Sequence, residues 1–466
     1  MTRQVDVIII GAGTAGLYAM SVVKQQTSHF VVVDQGPLGT TCARVGCMPS
    51  KALIQTADDY HNAQRMVREG LLSETPTMQP QAGPAFALKI SHMLSSKISE
   101  RVSGGLGEKL IQGRARFVAK DTIEVNGQTL QAKAIILATG SEPVIPAPWR
   151  AFGARILDSE GVFQLQEMPK SLAVLGLGAI GLELGQALST LGVAVTGVEM
   201  AQHVANLQDP EIRAMALEQF GKQFPLHLGH AASLSEGENG QIRVQAGPLD
   251  IQVEKVLVSL GRRPRVADMG LAEVGIALDA RGVPLFDPTT TKVEGAPIFI
   301  AGDCTNDRVI FHEAAEEGKM AGFNGLREHP QRFQRKTPLG IIFTDPNIAT
   351  FGMGYEAALA AGAQMASATI HTESRAKVMG VEAAMVRLYA DPATGRLLGG
   401  ALISPRGEHM AHTLVWAVQG GLTVHQMASM PYYHPNLEEA LFAVSSALSK
   451  QCKGGYEGVP AGLIPA

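Results

Sequence analysis

The sequence predicts an α/β protein with two dinucleotide-binding domains and a C-terminal α+β domain. Three features predict it. A strand, a glycine-rich loop, a helix and a strand ending in an acid follow one another from Val5 to Asp34. The same series recurs from Ser171 to Glu199, and from about Thr337 the chain alternates strand-like runs with helices. At 466 residues the chain is too long for one ordinary core, so several domains are expected.

In the first unit, Val5-Asp6-Val7-Ile8-Ile9-Ile10 reads as a short buried parallel strand and Gly11-Ala12-Gly13-Thr14-Ala15-Gly16 as the loop. Leu17 to Lys24 has the pattern of a helix, and Phe30-Val31-Val32-Val33 is the next strand, ending on Asp34. This is the order of a Rossmann-like βαβ unit. Gly11 permits the sharp turn, Gly13 lets the backbone approach a pyrophosphate, and Gly16 lets the helix pack close to the strand. The helix N-terminus offers free N–H groups and partial positive charge to phosphates. Asp34 is placed to bind two ribose hydroxyls.

The second unit repeats this with Ser171 to Leu175, Gly176-Leu177-Gly178-Ala179-Ile180-Gly181, a helix from Leu182 to Thr190, and Ala194 to Val198 ending on Glu199. The same spacing separates the first glycine from the acid in both copies. One G-x-G-x-x-G is a weak signal; two in full βαβ context with matched acids are a strong one. Each unit later supplies another strand ending on glycine, Ala134 to Thr139-Gly140 and Lys255 to Gly261. A bare glycine there lets a nucleotide pass close to the backbone. Glu199 would accept from a ribose 2′-OH and repel a 2′-phosphate, and no arginine follows in Met200 to His203. NAD is therefore favoured over NADP.

Composition excludes several classes. The formal charge is −4 and no Lys/Arg run reaches five, so no nucleic-acid surface is expected. No apolar run approaches the length of a membrane span, and Asp6 interrupts the only early apolar stretch. A cytoplasmic location is the expectation. Four cysteines do not make a secreted disulfide framework.

Two of those cysteines are close in sequence: Gly39-Thr40-Thr41-Cys42-Ala43-Arg44-Val45-Gly46-Cys47-Met48-Pro49-Ser50-Lys51. Cysteines spaced C-x4-C meet if a helix begins irregularly between them, which Gly46 and Pro49 permit. A helix N-terminus also stabilises thiolate. The alternatives are a metal half-site or two buried thiols; a zinc site needs about four ligands, and Cys304 and Cys452 are lone. No metal is expected, and Cys304 and Cys452 are read as buried or surface thiols.

The run Gly39 to Lys51 resembles the signature of the class I pyridine nucleotide–disulfide oxidoreductase family, which includes dihydrolipoamide dehydrogenase, glutathione reductase and mercuric reductase. The resemblance covers nearly the whole chain. It implies bound FAD and NAD, with Cys42 as the thiol that exchanges with substrate and Cys47 as the thiol in charge-transfer contact with the flavin. Phe299-Ile300-Ala301-Gly302-Asp303 resembles the second FAD motif, which implies that Asp303 binds the ribityl chain; read alone, it is an acid that follows a buried strand and a glycine, with a simple turn aspartate as the alternative. Lys51 resembles the lysine beside the flavin N5 and Glu183 its ion-pair partner; read alone, they are a surface lysine and a helix-start glutamate.

Near the end stands Pro431-Tyr432-Tyr433-His434-Pro435-Asn436-Leu437-Glu438-Glu439. Thiol–disulfide exchange needs a proton acceptor and donor, and histidine suits both at neutral pH. Pro435 fits the first turn of a helix, from which Glu439 would reach back to the imidazole. The segment resembles the family motif H-P-x-x-x-E, which implies His434 as acid/base and Glu439 as its orienting carboxylate. It also implies an obligatory homodimer, because that histidine serves the cysteine pair of the other subunit. His312, His409 and His412 are read as structural or surface residues.

Within the family, Glu199, the complete cysteine pair and the absence of vicinal cysteines near the C-terminus leave the dihydrolipoamide dehydrogenase type. That type implies oxidation of dihydrolipoamide, free or on a lipoyl domain of a 2-oxoacid dehydrogenase complex, with NAD+. The alternative is an NADH-dependent reductase of another small disulfide. Arg44 stands where the family has asparagine, Ala43 where it has a larger apolar residue, and Tyr432 and Glu438 replace small residues; these put charge and bulk near the expected substrate channel. Ala179 would leave the nicotinamide path open. The expected organisation is an FAD-binding domain over 1–147, an NAD-binding domain over 148–270, the second part of the FAD or central domain over 271–336, and a dimerisation domain over 337–466.

Overall fold

A computed structural model describes residues 2–79, 81–370, 374–455 and 458–465. The first unit is built on a run of parallel strands in the order Ile298–Ile300, Gln128–Leu137, Arg3–Ile10, Phe30–Asp34 and Leu110–Gln112. Val7 and Ile9 pack on one face of this sheet, and Ile8 and Ile10 on the other. With both faces covered, the strand reads as a continuous apolar run and not as an alternation. The glycine loop leaves the carboxyl end of the central strand, where open α/β sheets bind their ligands.

The Thr14–Val23 helix lies against the Phe311–Asn324 helix. A Cβ added at Gly318 would lie 2.2 Å from the Ala15 carbonyl oxygen, and one at Gly322 would lie 2.5 Å from that of Ala19. Only glycine permits this approach. After Asp34 the chain makes a short helix, Thr41–Val45, and two long helices packed on each other, Cys47–Arg68 and Ala82–Leu106, before returning to the sheet.

The second unit is a five-stranded parallel sheet, with Ser171–Leu175 between Ala194–Glu199 and Lys255–Val258. Leu172 and Val174 face one core, Ala173 and Leu175 the other. A three-stranded antiparallel meander, Ser233–Glu236, Ile242–Ala246 and Leu249–Val253, packs into the second of these cores. The C-terminal part is a five-stranded antiparallel sheet in the order Leu339–Ile342, Asn347–Gly352, Leu397–Ser404, Met385–Ala390 and Gln364–Thr369. The helices Gly407–Gly420 and Glu439–Ser449 share its core.

One expected helix start is corrected. Pro435 lies in an irregular segment, and the last helix begins at Glu439. Asn436 and Glu439 explain the delay: the Glu439 N–H donates to Asn436 Oδ1 at 3.2 Å, and the Asn436 N–H donates to Glu439 Oε2 at 3.1 Å. This reciprocal exchange has the logic of a capping box and fixes the start after Asn436. Among the described residues, no helix is long and apolar enough to cross a membrane.

Candidate active site

The two glycine loops are near copies. Gly11 (φ +109°) and Gly176 (φ +92°) both turn where a Cβ would strike a carbonyl oxygen, that of Ala138 at 2.2 Å and that of Ser259 at 2.6 Å. At Gly13 and Gly178 a Cβ would meet nothing within 4 Å, so the loop there is open to an incoming group. Each precedes a helix of ten residues or more, Thr14–Val23 and Ala179–Thr190, whose first N–H groups are free for phosphate. The two acids also correspond. Asp34 accepts the Ala12 N–H at 2.6 Å and the Gly36 N–H at 2.6 Å; Glu199 accepts the Leu177 N–H at 2.8 Å and the Ala201 N–H at 3.0 Å. Both carboxylates therefore brace their own loops, and each keeps further lone pairs for a ribose.

A cleft of about 1080 Å³ runs from the first loop to the cysteines. Gly11, Gly13, Asp34, Thr139, Gly140 and Asp303 line it, as do Cys42, Cys47, Lys51 and Glu183. From the second unit Ala179 and Ile180 reach it, whereas Gly176, Gly178, Gly181, Glu199 and Gly261 are outside its lining. The open face at Gly13, the free helix N-terminus and the Asp34 and Asp303 carboxylates of the lining fit an elongated dinucleotide such as FAD.

The cysteines sit on two consecutive helix starts. Thr40 caps the first, its Oγ1 accepting the Ala43 N–H at 3.2 Å. Gly46 (φ −132°, ψ −115°) breaks it, and Cys47 opens the 22-residue helix that follows. Both thiols are free in this structure. The Cys42 thiol hydrogen-bonds the Cys47 sulfur and, against the opposing effect of burial and with the help of the Lys51 ammonium, the Cys47 pKa is lowered to about 7. The same hydrogen bond, with burial, pushes the Cys42 pKa up. Above about pH 7 the pair thus keeps its proton on Cys42 and its charge on Cys47.

Lys51 is one helical turn beyond Cys47. Its Nζ lies 2.7 Å from Glu183 Oε2 and 4.4 Å from the centroid of the Phe343 ring. The other Glu183 oxygen accepts the Phe343 N–H at 2.8 Å. One buried carboxylate therefore joins the cysteine-bearing helix, the second unit and the C-terminal part.

Three residues near Asp303 escaped the sequence reading. Ser141 Oγ donates to Asp303 Oδ2 at 2.7 Å and accepts from Arg262 Nε at 2.8 Å. Glu317, fully buried, accepts the Gly302 N–H at 2.7 Å and the Arg335 guanidinium at 2.8 Å. Arg262 directly follows Gly261, a position that was open to notice; nothing local marks Ser141 or Glu317.

His434 and Glu439 are not in the cleft lining. They form an exposed pair, His434 Nδ1 lying 2.8 Å from Glu439 Oε1. Tyr432 does not project into open space: its hydroxyl donates to the Met427 carbonyl at 3.0 Å and its ring packs on Phe442 at 5.9 Å between centroids. Among the other residues considered, Cys304 is fully buried and Cys452 half-buried, while His312, His409 and His412 are exposed.

Comparison with known proteins follows the same division. Residues 5–319 match the family profile described as pyridine nucleotide-disulphide oxidoreductase, and residues 339–443 match the dimerisation domain of that family. A dihydrolipoyl dehydrogenase of Thermus scotoductus is 31% identical over 96% of this chain and 98% of its own length. A mercuric reductase of Staphylococcus aureus is 28% identical over 91% of this chain and 78% of its own length. Among solved structures, the Cu(II) complex of the HOCl-induced flavoprotein disulfide reductase RclA from Escherichia coli superposes with a TM-score of 0.83 at 23% identity, covering 96% of this chain and 99% of that one. With two matched nucleotide units, a paired-cysteine cleft and a dimerisation domain, the chain belongs to the pyridine nucleotide-disulphide oxidoreductase family, whose members of the dihydrolipoyl dehydrogenase type use FAD and NAD(H).

Proposed function

We propose that the chain oxidises dihydrolipoyl groups to the cyclic disulfide with NAD+, as a homodimer. The substrate is dihydrolipoamide, or the same group on a lipoyl domain of a 2-oxoacid dehydrogenase complex. The observation that carries this reading is the Cys42–Cys47 pair, with one sulfur held as thiolate near neutral pH beside Lys51. Gly13, Asp34, Thr139, Gly140 and Asp303 would hold FAD; Gly178, Glu199 and Gly261 would hold NAD. Bound FAD supplies the two-electron link between sulfur and nicotinamide.

The remaining work falls to side chains. In the oxidised enzyme Cys42 and Cys47 are disulfide-bonded. The partner subunit's His434 takes the proton of one substrate thiol, and that sulfur bonds to Cys42 as the Cys42–Cys47 bond breaks. Cys47 leaves as a thiolate, the form its surroundings favour. As the histidine passes that proton to Cys42 it takes the proton of the second substrate thiol, whose sulfur closes the ring and expels Cys42 as a thiol. Glu439 on Nδ1 leaves the histidine Nε2 as the atom that faces a thiol and stabilises the transient cation.

Steady-state assays with dihydrolipoamide and with a panel of disulfides under NADH test the substrate. Anaerobic titration with NADH should bring up a long-wavelength absorbance band at two electrons per flavin. His434→Gln should lower turnover by about 10²-fold or more while leaving flavin reduction by NADH intact. Unchanged turnover in that variant removes His434 from the mechanism. A second reading, an NADH-dependent reductase of another small disulfide, is favoured by one observation: Arg44 puts a guanidinium between the two cysteines in sequence, lining the same cleft.

A further inference from the structure

A second cavity, of about 520 Å³, adjoins the cleft. The two share Pro37, Leu38, Arg44, Val45, Glu160 and Phe163 in their walls, so Arg44 faces both. We propose that this side cavity receives the carboxylate end of a disulfide substrate, with Arg44 as the specificity-determining residue. The inference rests on the reading that the cysteine pair exchanges with a small disulfide, and it narrows that substrate's class.

Arg44 is placed for this. It lies on the Thr41–Val45 helix and lines the cleft together with Cys42 and Cys47 as well as the side cavity, so a chain can run from the sulfurs to its guanidinium. Its Nε is buried and has no hydrogen-bond partner. Its nearest anion is Glu160, at 3.9 Å from Nη1, which is longer than a hydrogen bond. A buried guanidinium N–H without a partner is costly, and a carboxylate is the acceptor whose two oxygens match the guanidinium fork. The opposite wall is polar as well. Ser91, Ser95 and Ser99 recur every fourth residue along the Ala82–Leu106 helix, with His92 and Ser96 beside them. Ser91 Oγ is engaged by the Arg44 carbonyl, which fixes the short helix against that wall.

Charge limits what fits. Glu160 and Glu100 also line the cavity, so it offers no excess of positive charge for a phosphate or other dianion. A single carboxylate on a short chain suits one arginine and a row of hydroxyls. The volume is in the range of small-ligand sites.

Iodoacetate and iodoacetamide test it on the NADH-reduced holoenzyme, because they differ only in carboxylate against amide. The measured quantity is the ratio of their alkylation rates at the cysteine pair. In Arg44→Asn that ratio should fall about tenfold, the effect of one charge-assisted hydrogen bond. Arg44→Lys, which keeps the charge but not the fork, should give a ratio between those of wild type and Arg44→Asn. An equal ratio in wild type and Arg44→Asn overturns the proposal, as does an Arg44→Lys ratio as low as that of Arg44→Asn. Parallel turnover of lipoate and lipoamide separates the two levels of the argument. A ratio that depends on Arg44 without turnover of either compound keeps the subsite and removes the dihydrolipoyl reading. Turnover of both with a ratio indifferent to Arg44 does the reverse.

Discussion

Cys47 owes its low pKa first to the hydrogen bond from the Cys42 thiol and then to the Lys51 ammonium. The sign of the pH dependence follows. A depressed pKa means that the reduced enzyme holds Cys47 as thiolate above about 7 and loses that charge as pH falls through it. Alkylation of the reduced pair should therefore rise with pH to a midpoint near 7. Cys42→Ala removes the donor and should move the midpoint toward the ordinary thiol value of about 8.5, whereas Cys42→Ser supplies a hydroxyl donor and should move it less. A midpoint indifferent to Cys42→Ala would remove the assigned cause. This pairing was readable from the sequence because it is local: C-x4-C with Gly46 between puts both sulfurs on adjoining helix starts. Lys51 and Glu183 meet across 132 positions, and no local pattern encodes that contact, so only family resemblance pointed to it. Ser141 and Arg262 belong to the same kind: their contacts, with Asp303 and with each other, span more than a hundred positions.

At the level of elements, the strands of both nucleotide units were legible because burial on two faces leaves an unbroken apolar run between glycine punctuation. The last helix was not placed correctly, because proline suits a first turn while the Asn436–Glu439 exchange decides where the turn begins. The contact between the Thr14–Val23 and Phe311–Asn324 helices was also invisible, since Gly318 and Gly322 read as ordinary helix glycines until their neighbours are known. They carry a prediction. At Gly318 an added methyl would meet Ala15 backbone, which cannot turn aside as a flexible side chain would. Gly318→Ala should push the helices apart and destabilise the fold by about 1–3 kcal/mol, the usual range for overpacking. Ala15 is part of the glycine loop that would hold FAD, so flavin retention during dilution should fall together with the thermal midpoint. Gly420→Ala, at a helical position where a Cβ meets nothing within 4 Å, is the control and should do neither.

Across the whole molecule, buried charge pins the second unit to the C-terminal sheet. Asp209, 2% exposed, caps the Pro210–Gly221 helix through the Glu211 N–H at 3.0 Å. Its other oxygen accepts from Arg387 Nε at 2.6 Å and from the Tyr389 hydroxyl at 2.7 Å, both on the Met385–Ala390 strand. Arg387 also pairs with Glu211. Together with Glu183 on Phe343, these contacts hold the second unit and the C-terminal sheet in the orientation that brings Glu183 to Lys51. Arg387→Met leaves Asp209 buried without its cation and should cost about 3–5 kcal/mol. Tyr389→Phe removes one hydrogen bond and should cost about 1 kcal/mol. A chain of several domains does not unfold in one step, so calorimetry should show the loss in the transition shared by the second unit and the C-terminal sheet. Adding Asp209→Asn to Arg387→Met removes the stranded charge but keeps a capping oxygen, and should recover part of the loss. Equal destabilisation by Arg387→Met and Tyr389→Phe would mean that hydrogen bonding alone, without the buried charge, joins these domains.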